Sequence, residues 1–156
     1  MNFCSSTFFI ALVFFVAMIS TSILSCTSGV IKNYMNNLTP VLKTKYEKIR
    51  NERMTISLEG YVLGVFFSGL IIFYNYKSKK QLDRFSLACI VIATTLITNY
   101  LFYILFPKSQ WMINYLNTKE EKDAWLNVYK HMQLYYHGGL LLGLIAVGFL
   151  SLAFEC

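Results

Sequence analysis

Acidic residues, prolines and paired cysteines are all scarce in this chain. Eight Asp and Glu stand against fourteen Lys and Arg, and only two prolines, Pro40 and Pro107, occur in 156 residues. With so few helix breakers, long helices are open to most of the sequence. The four cysteines, Cys4, Cys26, Cys89 and Cys156, stand singly and form no CxxC pair. That excludes the usual zinc-ligand spacing and a paired-thiol redox motif. No catalytic motif or cofactor fingerprint is present, so no catalytic residue, cofactor or metal is expected. Also missing are runs of about ten alternating residues separated by turn clusters, the pattern of an outer-membrane barrel.

What is abundant is apolar surface. The chain is 56% hydrophobic and 17% aromatic with a mean hydropathy of +0.48, outside the range of soluble domains. Four apolar stretches, 7–26, 56–74, 85–106 and 135–154, each hold about 20 residues, enough to cross a hydrocarbon core of about 30 Å. The expected fold is an all-α integral membrane protein with four transmembrane helices in a single domain, 1–156. The first stretch lacks the Lys or Arg that usually precedes a cleaved targeting segment, so it is read as a span.

The segments between the spans are long, short and long: 27–55, 75–84 and 107–134. The long ones carry ten of the fourteen Lys and Arg, and the short one carries Lys77, Lys79, Lys80 and Arg84. These totals favour a cytoplasmic side for both long linkers, with both termini on the other side. Topology and anionic head groups account for the positive charge, so nucleic acid is not expected as a partner.

An internal repeat organises the chain. At an offset of 79 residues Thr39 pairs with Thr118, Tyr46 with Trp125, Ile49 with Val128, Gly60 with Gly139, Gly64 with Gly143 and Gly69 with Gly148. Arg53 opposite Met132 is the one clear break. Positions 46, 49, 53, 56, 60, 63 and 67 are spaced alternately by three and four, one seam of a helix that begins well before the apolar run. Thr39-Pro40 reads as an N-cap with a first-turn proline, and Thr118 with Glu121 as a capping box. The second and fourth helices are therefore expected from about Pro40 and Lys119, long enough to project from the membrane. The chain reads as two parallel hairpin repeats, 1–78 and 79–156.

Several residues stand out as candidate sites. Gly60 with Gly64 and Gly139 with Gly143 are GxxxG pairs that let helix backbones approach, and the second and fourth helices are expected to cross there. Glu59 and His137 fall at similar depth in the two repeats and are expected either to face each other as an intramembrane polar pair or to lie hydrated at the interface. Asn99 is expected to bond a neighbouring helix. Lys43, Lys45, Lys48, Arg50 and Arg53 form a basic stretch suited to anionic lipid or an acidic protein partner. Trp111, Tyr115 and Trp125 read as interfacial aromatics.

The runs NNLTP and KYEKIRNERMTISLEGYVLG (36–40 and 45–64), with YYHGGLLLG (135–143), resemble small multi-span membrane proteins of large double-stranded DNA viruses. That resemblance implies a protein of an internal virion membrane or its assembly, and supplies no catalytic residue. The expected function is non-enzymatic: a structural, assembly or docking role in the lipid bilayer, with a protein partner or a homo-oligomer. The alternative is a small proton- or ion-linked transporter at the seam between the hairpins.

Overall fold

The computed structural model describes residues 3–155, with side chains from 5–24 and 27–154. Among the described residues every regular element is helical: α1 (Phe3–Thr27), α2 (Gly29–Asn37), α3 (Pro40–Lys77), α4 (Arg84–Leu105) and α5 (Lys119–Glu155). A 3-10 turn, Met112–Tyr115, lies between α4 and α5. Four helices are long and apolar enough to cross a membrane: α3, α4, α5 and the nearly continuous run of α1 and α2. This fits an integral membrane protein. Cys89 is a buried free thiol in α4; the side chains of Cys4 and Cys26, and Cys156 altogether, lie outside the described residues.

The helix starts follow from local chemistry. Thr39 Oγ1 accepts from the Leu42 amide and Pro40 occupies the first turn of α3. At α5, Glu121 Oε2 accepts from the amides of Asn117 and Thr118, and Thr118 Oγ1 accepts from the Glu121 amide, a closed capping box. Asp83 caps α4 by accepting from the amides of Phe85 and Ser86. The Ser86 side chain first, and then these amides, hold its carboxyl below the usual range. The resulting α3 has 38 residues and α5 has 37. At a rise of ~1.5 Å per residue either exceeds the ~30 Å hydrocarbon core by several turns.

The helices do not pair as two successive hairpins. The most extensive interface is α1 on α5, followed by α3 on α4 and then α4 on α5. Neighbours therefore run in the order α1, α5, α4, α3, and α1 shares no extensive interface with α3. Gly139 faces Thr21, Gly143 faces Met18, and the rings of Phe14 and Phe149 stack at 5.8 Å, so α1 and α5 run antiparallel. Gly60 against Asn99 and Gly64 against Thr95 set the antiparallel register of α3 and α4.

At one end of the bundle both long linkers fold into a cap with its own core. Ile31 and Tyr34 of α2, Tyr46 and Ile49 of α3, Met112 and Leu116 of the 3-10 segment, and Val128 of α5 are all buried together. Trp125 packs against the same cluster, its ring 5.8 Å from Tyr34 and 6.1 Å from Tyr46. Burial of this much apolar surface is what holds the cap, since α2 is too short to be stable alone.

Candidate functional site at the junction of cap and spans

The glycine pairs are contact points, but not with each other. A methyl group on Gly64 would lie 2.9 Å from the Thr95 carbonyl oxygen and 3.0 Å from its Cα; one on Gly60 would lie 2.8 Å from Asn99 Oδ1. Gly139 and Gly143 instead approach Thr21 and Met18 of α1. The expected crossing of the second and fourth helices at their glycines is thus overturned. The reason is α4, which packs on both α3 and α5 and stands between them. Within the span the buried line on α3 is Ile56, Gly60, Gly64 and Ser68 rather than the heptad line through Leu63 and Phe67. Spacing by four is the straight ridge that glycine-notched helices present. Ser68 Oγ uses the close approach to donate to the Val91 carbonyl at 3.0 Å and to meet Thr95 Oγ1 at 2.9 Å.

Glu59 and His137 are not paired. Glu59 is exposed on α3, and His137 Nδ1 lies 2.8 Å from the Tyr100 hydroxyl on α4. The same intervening helix keeps them apart. Asn99 is buried against Gly60, and its Oδ1 has no hydrogen-bond partner among the described residues.

The basic stretch divides into two parts. Lys43, Lys48 and Arg50 are exposed, and among the described residues their side chains make no hydrogen bond or ion pair. Lys45 is engaged inside the cap, its ammonium 5.1 Å from the Tyr115 ring centre. Arg53 is engaged most of all. Its Nη2 donates to the Gln110 carbonyl at 2.6 Å, Nη1 lies 3.6 Å from Glu52 Oε1, and the guanidinium sits 5.1 Å from the Trp111 ring centre. Glu52 Oε1 in turn accepts from the Ser109 amide at 2.7 Å. Lys108 donates to the Tyr103 carbonyl and to the Ile104 carbonyl, tying off the end of α4. Desolvation, and then the nearby Arg53 charge, push the Lys108 ammonium below the usual lysine range, with Glu52 opposing.

These contacts fasten the 107–111 segment to α3 and α4 where the cap meets the apolar spans. On the α5 side the layer continues through Tyr136, whose ring stacks 5.6 Å from Tyr100 and lies 4.6 Å from Tyr103. Of the three aromatics read as interfacial, Trp125 belongs to the cap core and Tyr115 lies under Lys45; Trp111 lies over Arg53, with 47% of its surface exposed. No sequence motif announced this junction. Its only trace was the single mismatch of the repeat, where polar Arg53 fastens the linker while its counterpart Met132 packs into the cap.

Among the described residues no group of three His, Cys, Asp or Glu is placed to hold a metal ion. What the site offers chemically is positive charge on a folded cap with its own core. Compared with known protein families, curated proteins and solved structures, the chain matches none of them.

Proposed function

We propose that this is a non-enzymatic membrane protein that carries a folded, basic cap on two long helices and docks an acidic protein partner there. The observation that carries the reading is the cap itself. Its two segments, 28–55 and 106–134, hold ten Lys and Arg against five Asp and Glu, and Lys43, Lys48 and Arg50 are left exposed on its surface. The helix that presents these cations is already folded, and charge complementarity speeds a partner's capture. In this reading α3 and α5 project on the cytoplasmic side, and the resemblance to viral membrane proteins makes a virion membrane and its capsid or scaffold the proposed setting.

The test is a photo-crosslinker placed in the native membrane at Arg50, and separately at Val65 in the span. Docking predicts discrete protein adducts from position 50 that vanish when Lys43 and Lys48 are changed to Glu, with no change for Glu59→Gln or His137→Gln. Proton flux in liposomes that depends on Glu59 or His137, without adducts, would replace this reading with the transporter.

The repeat belongs to the same proposal. Moving Asn99 and Thr95 back by 79 residues lands on Ser20 and Val16, within a turn of the Thr21 and Met18 that Gly139 and Gly143 contact. This supports a duplicated unit in which each glycine-notched helix packs on the first helix of the other half. Fragments 1–78 and 79–156, expressed together, are then expected to copurify as a stable pair and to aggregate when expressed alone; a stable solitary half would contradict the exchange.

A further inference from the structure

We infer that this chain assembles with copies of itself, the exposed face of α1 along Leu12, Ile19 and Ile23 seating against the exposed face of α3 along Leu58, Tyr61 and Val65 in the next copy. The inference rests on the membrane reading and on the duplicated unit, and it uses a different surface from the docking face.

The two halves make one kind of helix contact twice. Gly60 meets Asn99 and Gly64 meets Thr95 on α4, while Gly139 reaches Ser22 beside Thr21, and Gly143 reaches Met18, on α1. Matched through these contacts, α5 follows α3 by 79 residues and α4 follows α1 by 77. The next interface is made only once. Helices α4 and α5 pack through Leu96 on Gly143, Tyr100 on His137 and Phe85 on Phe154. The corresponding pairs in the first half are Ile19 with Gly64, Ile23 with Leu58 and Phe8 with Asn75, yet α1 and α3 share no extensive interface.

Exposure records the missing contact on both helices. Cys89, on the α4 line of Phe85, Leu96 and Tyr100, is 6% exposed, whereas its α1 counterpart Leu12 is 50% exposed. Leu140 and Leu144 of α5 are partly buried, whereas their α3 counterparts Tyr61 and Val65 are exposed. Each copy therefore carries both faces of an interface that it does not close. Its own α1 is committed to α5 through the glycine contacts and the stack of Phe14 on Phe149. The α1 of a neighbouring copy is free to fill the place. With both caps on one side of the membrane, that α1 arrives antiparallel to α3, the sense in which α4 meets α5, and the apolar side chains pack by van der Waals contact. The two faces differ, so the contact runs head to tail, and copies close into a ring about the membrane normal.

The experiment uses the full chain in its native membrane, with Cys4, Cys26, Cys89 and Cys156 changed to Ser. Ile23→Cys in one tagged form and Leu58→Cys in a second are expressed together and oxidised. A disulfide joining the unlike tags is expected, while Val13→Cys with Phe66→Cys, exposed positions off the two faces, gives little or none. Ile19→Trp is expected to reduce the Ile23 to Leu58 link about tenfold, the shift given by a moderately overpacked contact. In the otherwise unaltered chain, with its cysteines in place, a photo-crosslinker at Val65 is expected to capture a second copy. Capture of lipid alone at Val65, equal linking by both cysteine pairs, or a link formed only within one chain when Ile23→Cys and Leu58→Cys are combined would each overturn the inference. Loss of partner adducts at Arg50 would leave the Ile23 to Leu58 link as it is, so the two readings fail separately.

Discussion

Leucine at position 64 is expected to force α3 away from α4 and to abolish the stable bundle, while alanine at position 148 leaves it intact. The difference lies in what the new side chain meets. At Gly64 a Cβ falls 2.9 Å from the Thr95 carbonyl oxygen and 3.0 Å from its Cα, both main-chain atoms of a rigid helix. Neither can step aside without moving α4. Even alanine there is expected to cost about 1–3 kcal/mol as an overpacked contact, and leucine more. Separation also strands the Ser68 hydroxyl from the Val91 carbonyl, an interhelical bond of the kind worth about 0.6–2 kcal/mol in a membrane.

Gly143→Ala is expected to be milder, because the nearest obstacle is the flexible Met18 thioether at 2.7 Å. Gly69, Gly138 and Gly148 meet nothing within 4 Å, and alanine at those sites should be neutral or slightly stabilising through helix propensity. Thermal unfolding in detergent checks the order: Gly64→Leu lowest, then Gly64→Ala, then Gly143→Ala, then wild type with Gly148→Ala. Unchanged stability of Gly64→Ala would show that the α3 and α4 contact is looser than described.

This contrast also explains which parts of the architecture were legible in the sequence. Helix starts were, because Thr39-Pro40 and Thr118 with Glu121 act through backbone groups only a few residues away. The cap core was half legible: the matched Tyr46, Ile49, Trp125 and Val128 marked two of its faces. The contribution of α2 was hidden, since Ile31, Tyr34 and Leu38 recur at helical spacing among Lys32, Asn33, Asn36 and Asn37 in a segment that reads as polar. Partner choice was not legible at all. A GxxxG pair states that a backbone can come close, not whose backbone it is, and the position of α4 between α3 and α5 decides that. Residues 59 and 137 share a depth but not a face, for the same reason. The junction could be found only by taking the Arg53 mismatch as information, because a charged residue that breaks an apolar repeat must find partners somewhere.

Removing the Trp125 ring should have the opposite distribution of effects, melting the cap and sparing the spans. Tyr34, Tyr46 and Trp125 come from three different helices and their rings lie 5.8 to 6.1 Å apart, so the indole is the piece that joins α2, α3 and α5. Trp125→Ala is expected to cost about 3–5 kcal/mol, the range for deleting a packed aromatic, with further loss as the freed segments gain entropy. None of the glycine contacts, nor Ser68 with Val91, involves the cap, so the interfaces of α1 with α5 and of α3 with α4 within the spans have no reason to open. Hydrogen exchange is the measurement that separates the two: protection should collapse over 30–50 and 112–130 and persist over 60–75 and 87–105. Uniform loss along α3 would mean that cap and span unfold as one unit. If the cap alone melts, the Arg53 and Lys108 ties mark the boundary between two cooperative units, because the Lys108 bonds to the Tyr103 and Ile104 carbonyls depend on α4 and not on the cap core. The proposed docking would then be lost with the cap while the bundle of spans survives.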